Sequence, residues 1–89
     1  MPRMVITHAV ADVDSWLSHA DERSAAIAAL GGSNATDHVA FDGSNVVAIS
    51  ADVDDPDAMM AALASPPPDV AALMQSHGVI QPLTAYVAK

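Results

Sequence analysis

Residues 3–10 read RMVITHAV, and the reading of this run decides the fold. It is apolar, rich in strand formers, and carries a single histidine, His8. As a strand it alternates with period two. Val5, Thr7 and Ala9 then share one face, and Met4, Ile6, His8 and Val10 share the other. Neither face is polar, so both need cover. Helices can cover one, and a second copy of the chain is the simplest cover for the other. The role of His8 turns on which side its face points; on the open side of the sheet it could serve as a general base.

Working outward, residues 12–32 (DVDSWLSHADERSAAIAALGG) have helical periodicity, with Val13, Trp16, Leu17, Ala20, Ser24, Ile27 and Gly31 in one stripe. Asp12 or Asp14 can cap the start, and Gly31-Gly32 ends it. His19 and Arg23 lie one turn apart at the stripe's edge. After SNATD (33–37), a second strand is expected over His38–Phe41, a turn over Asp42–Asn45, and a third strand over Val46–Ser50, forming an antiparallel hairpin. A second helical region begins at DVDDPDAMMAALAS (52–65), with Asp55 as its cap and Pro56 in its first turn. Pro66-Pro67-Pro68 interrupts it, because proline inside a helix costs about 3 kcal/mol. A short helix restarts within 69–78, with Val70, Leu73, Met74 and His77 on its inner face and Gly78 at its end. Leu83–Val87 reads as the last strand. This order, β-α-β-β-α-β, predicts an α+β, ferredoxin-like domain over residues 1–89, a four-stranded antiparallel sheet with helices on one side.

A chain of 89 residues buries only about 60–65% of its unfolded surface, which makes pairing with a second copy an inexpensive way to enlarge the core. Cysteine is absent, which excludes disulfides, thiolate metal sites and thiol nucleophiles. Eleven acidic residues against three basic ones give a formal net charge of −8, a surface that repels nucleic-acid backbones and anionic membranes. No apolar run approaches membrane-spanning length and no secretory signal is evident, so the expected location is the cytoplasm.

The four histidines form neither an HExxH pattern nor a Cys/His cluster, and no GxGxxG occurs; neither a metal nor a cofactor is expected. The run Asp52, Asp54, Asp55, Asp57 lacks the glycine and terminal glutamate of a calcium loop and reads as capping plus a solvated turn. His77, at the entrance to the last strand, could close a pocket mouth beside His8. Tyr86 is a possible proton donor. His8, His77 and Tyr86 are therefore the catalytic candidates. Trp16, Asn34, His38, Phe41 and Met74 are the candidates for substrate contact, each with an ordinary packing or loop role as its alternative. His19 reads as a solvated helix flank.

The opening strand ending in His8-Ala9-Val10-Ala11-Asp12, Trp16 in the first helix, the hairpin, DVDDPDAMMAALAS and AALMQSHGVIQP (71–82) together resemble dimeric α/β-barrel proteins. The chain is similar to the antibiotic-biosynthesis-monooxygenase-like and polyketide-cyclase-like groups of that superfamily, over roughly residues 3–88. The resemblance implies sheet-to-sheet homodimers, each subunit with a pocket for a small hydrophobic or aromatic molecule. It implies cofactor-independent oxygenation of aromatic polyketides, or aldol-type cyclisation using histidine and tyrosine. His8 matches in general position the first-strand histidine of some plant cyclases, and His77 and Tyr86 correspond only loosely to its partners. Some members bind haem, for which this chain has few basic residues to hold propionates. A non-catalytic ligand-binding or accessory module is the alternative; it predicts a pocket filled by Met4, Met59, Met60 and Met74, or histidines already bonded to backbone.

Overall fold

The computed structural model describes residues 2–89. In chain order it runs β1 (Arg3–Val10), α1 (Val13–Ser18), α2 (Ala20–Ala29), β2 (Gly32–Val39), β3 (Val46–Val53), α3 (Pro56–Ala64), α4 (Pro68–Ser76) and β4 (Val79–Val87). The strands form one antiparallel sheet in the order β2-β3-β1-β4, and β1 is central as its sequence requires. This is the expected ferredoxin-like α+β arrangement, with each helical region divided in two.

The face of β1 that holds Met4, His8 and Val10 is the buried one, turned towards the helices. Its neighbours across β3 are Ala51, Ile49 and Val47, paired with Met4, Ile6 and His8. Two buried clusters result. Met4, Ala51, Val53 and Met59 pack under α3, and Val10, Trp16, Val47 and Ile49 pack under α1.

The first helical stretch does not run through. His19 leaves helical geometry at φ −99°, ψ 19°, because the Trp16 carbonyl accepts from the His19 N–H and from the Arg23 guanidinium. The break re-phases the stripe. Arg23, Ala26, Ile27 and Leu30 turn inward, whereas Ser24 is solvent-exposed and Leu17 is 41% exposed. The second helical region divides at the prolines as expected, with Asp55 accepting from the Ala58 N–H at its cap.

Three strands are longer than their sequences suggest, and β3 runs on past Ser50 to Val53. β2 starts at Gly32, so SNATD is strand and not loop, while Phe41 lies beyond its end. Its polar residues are tolerated because β2 is an edge, and a register shift between Ser33 and Thr36 accommodates Asn34 at φ 52°. β4 starts at Val79 and carries Pro82 inside it, which an edge strand permits. An irregularity between Thr7 and Ala9 in the β1–β4 pairing absorbs the extra residues.

Gly32 fixes how closely α2 meets the sheet. A Cβ there would lie 2.5 Å from Ile27 Cγ2 and 3.2 Å from the Ile27 carbonyl oxygen. The obstructing methyl sits on a branched Cβ and has little freedom to withdraw. Gly32→Ala is therefore expected to destabilise the fold by about 1–3 kcal/mol, the usual range for overpacking, read by urea unfolding.

Candidate active site

A partly open cavity of about 70 Å³ lies between the inner sheet face and the helices. Alternation along β1 brings Ile6 and His8 to its floor. The re-phased α2 contributes Arg23, and α4 contributes Met74 and His77. Its walls are otherwise aliphatic. His8 and His77 thus line one cavity from two elements.

The His8 ring is 5% exposed and anchored at one end: Nδ1 lies 3.0 Å from the Ala9 carbonyl oxygen, which only accepts. Nδ1 therefore carries the hydrogen and Nε2 presents a lone pair. Nε2 has no hydrogen-bond partner among the described residues, yet it is not sealed from accessible space, since Trp16 Nε1 is the buried side-chain polar atom left without a partner there. Burial pushes the His8 pKa below the ordinary value of 6.5; the Ala9 carbonyl opposes that shift and the Arg23 charge adds to it. A neutral imidazole with one free nitrogen facing a cavity is the configuration of a general base.

Arg23 is the charged side chain on the cavity wall. It is 5% exposed and held on three sides. Nε and Nη2 donate to the two Asp37 carboxylate oxygens at 3.1 and 2.8 Å, a bidentate pair. Nη1 donates to the Trp16 carbonyl at 2.9 Å, and the guanidinium carbon sits 3.8 Å above the centre of the Trp16 ring. Trp16 itself is fully buried and meets His8 edge-on at 6.1 Å.

Beyond Arg23 the wall continues to the surface. Arg23 Nη1 lies 3.5 Å from His77 Nδ1 and can only donate, so the His77 hydrogen sits on Nε2 and is donated to Glu22 Oε2 at 3.2 Å. His77 is 2% exposed, held where α4 ends, and Gly78 at φ 74° turns the chain out into β4. The second Glu22 oxygen lies 3.5 Å from His19 Nδ1, and the His19 and His77 rings stack at 4.4 Å. Hydrogen bonds from His77 and His19 lower the Glu22 pKa.

Other candidates lie elsewhere. Tyr86 pairs with Val5 on the opposite sheet face and is 59% exposed, so it cannot act with His8 and His77 in one pocket. His38 and Asn34 also lie away from the cavity. On the far face His38 Nε2 is 2.9 Å from Ser50 Oγ, which accepts from Arg3, and both Arg3 and Asn34 donate to Asp52. Asn34, and then Arg3, lower the Asp52 pKa. Phe41 is fully exposed beyond β2. Met74 does line the cavity, whereas Trp16 lies behind it, against Arg23 and His8. Arg23, Glu22 and Asp37 are the participants that sequence reasoning missed. The adjacency of His19 and Arg23 on one helix edge was the only signal of them.

No family model matches the chain, and no curated protein is similar to it. Among solved structures, the chain is similar to a candidate antibiotic biosynthesis monooxygenase from Deinococcus radiodurans, at 17% sequence identity and a TM-score of 0.58, covering 100% of this chain and 93% of that one. At that identity the likeness establishes a shared fold. No described helix is long and apolar enough to cross a membrane.

Proposed function

We propose that this protein is a cofactor-independent enzyme of the monooxygenase/cyclase type, acting on a small aromatic or polyketide-like molecule with His8 as general base. The observation that carries the reading is the free Nε2 of a buried, backbone-anchored histidine at the floor of an apolar cavity. His8 Nε2 takes a proton from an activated substrate carbon, leaving an enolate and an imidazolium. Arg23 and His77 flank the cavity, where a cation and ring dipoles favour the enolate. In cyclisation the enolate carbon adds to a carbonyl carbon, and His8 returns the proton to the alkoxide. In oxygenation the enolate reduces dioxygen. A substrate CH₂ becomes C=O, with one oxygen atom retained and the other released as water.

The volume sets the substrate's size. A dry cavity that takes up benzene measures about 150 Å³, roughly twice this one. A single ring therefore enters with movement of Met59 and Met74, and a fused polyketide requires α3 and α4 to lift from the sheet. The test is exchange of solvent deuterium into small phenolic and 1,3-dicarbonyl C–H acids, followed by NMR without oxygen, with oxygen uptake measured separately. Exchange supports the base, and uptake separates oxygenation from cyclisation.

The alternative reading, a non-catalytic ligand-binding module, is favoured by the same small volume and by Met59 and Met74 on the cavity wall. It predicts saturable binding of these compounds with neither exchange nor oxygen uptake.

In both readings the chain pairs with a second copy through the far face of the sheet. Val46, Ile80 and Tyr86 are 47%, 43% and 59% exposed on that face, beside Val5, Ala9 and Ala48. An aligned apolar face on a thin core is the support for this pairing. Val46→Glu, which places a charge among these apolar residues, is expected to weaken dimerisation at least about tenfold, or 1.4 kcal/mol, by sedimentation equilibrium. A monomeric wild-type protein would remove the dimer from the reading.

A further inference from the structure

The most unusual grouping where the cavity wall meets the surface is His19, Glu22 and His77. Their donor atoms, two imidazole nitrogens and a carboxylate oxygen, all lie within 4.8 Å of one another. His77 Nε2 to Glu22 Oε2 is 3.2 Å and His19 Nδ1 to Glu22 Oε1 is 3.5 Å. These two distances run to different Glu22 oxygens; tetrahedral zinc with bonds near 2.0–2.1 Å spaces its donors about 3.3 Å apart, so one carboxylate oxygen must swing to serve both imidazoles. We propose that His19, Glu22 and His77 form a binding site for one borderline divalent transition-metal ion, such as Zn²⁺, that ties the start of α2 to the end of α4.

The donor set selects the ion. Two imidazoles and one carboxylate suit zinc, nickel or copper and are poor for magnesium or calcium, which take oxygen ligands. Three protein ligands leave a position for water, and Glu22, the solvent-facing member, leaves that position open. The site lies at the cavity wall but its existence does not depend on the reaction proposed above.

Two features limit its strength. The His19 and His77 rings stack, so their lone pairs do not yet converge, and His19 must turn. Its side chain is 30% exposed and has Glu22 as its polar side-chain contact, which leaves it free to do so. The hydrogen on His77 Nε2 must also move to Nδ1, where it faces the Arg23 Nη1 donor at 3.5 Å. Binding is therefore weaker than in a closed four-ligand site.

The experiment is calorimetric titration of the full chain with ZnCl₂, alongside thermal unfolding with and without the ion. Wild type is expected to bind one ion per chain and to melt at higher temperature when it does. His19→Ala and Glu22→Gln, both at positions whose side chains reach solvent, are each expected to bind at least about tenfold more weakly, since even losing a hydrogen-bond partner of a metal ligand costs that much. His38→Ala, on the opposite sheet face, is expected to bind as wild type. Absence of saturable binding, wild-type binding by the His19 and Glu22 variants, or equal weakening in all three would overturn the proposal.

Discussion

His8→Asn is expected to lower the rate of proton abstraction by about 10²–10⁴-fold, the usual contribution of a positioned general base. Asparagine keeps a donor near the place of Nδ1, so the bond to the Ala9 carbonyl can persist while the free nitrogen is lost. The pH dependence carries the sharper information. Burial lowers the folded-state pKa of His8, so the wild-type rate should hold as pH falls through 6.5 and decline only below it. The stability consequence has a fixed sign. Above 6.5 neither the folded nor the unfolded state protonates His8, and nothing is lost. As pH falls below 6.5 the unfolded chain takes up the proton first, and stability drops until pH passes the lowered folded value. The groups facing His8 across the cavity are Arg23 from α2 and His77 from α4, and the Arg23 charge strengthens the effect. Unfolding measured over this range should show wild type losing stability relative to His8→Asn as the solution is acidified. The opposite slope would mean that the fold favours the imidazolium, and His8 could not then be a ready base.

Those expectations depend on a side of the sheet that the sequence alone leaves open. Alternation puts His8 with Met4, Ile6 and Val10, but only the packing of Met4 and Val10 under the helices shows that this face points inward. The hairpin turn, the Asp55-Pro56 helix start and the proline break between α3 and α4 were all readable, because each rests on local backbone chemistry. The start of β2 was not, since Ser33, Asn34, Thr36 and Asp37 look like loop until Asp52 and Ser50 are placed opposite them. The face of Tyr86 is not legible either, since it follows from the β1–β4 register, in which Tyr86 stands opposite Val5. Arg23 was hidden by the single non-helical residue His19, which turns a flank position into a buried one. The distance in sequence between Glu22 and His77 hid their contact in the same way.

Asp37→Ala is the substitution expected to cost the fold most, about 3–5 kcal/mol, because it leaves the Arg23 cation buried without its counterion. The lower end applies, since the Asp37 side chain keeps 19% of its surface and water can reach the space it vacates. Against a total stability of about 5–15 kcal/mol, that loss would populate unfolded chain near physiological temperature. Arg23→Met should also destabilise, through the Asp37 carboxylate left without its partner and the uncovered Trp16 ring. The double replacement removes both charges together, so its cost should fall short of the sum of the singles. Urea unfolding of all four proteins gives the coupling directly. Additive costs would show that Arg23 is held by Trp16 and its packing alone. A large coupling would show that Asp37, on an edge strand and outside the cavity, is what keeps a positive charge on the cavity wall beside His8.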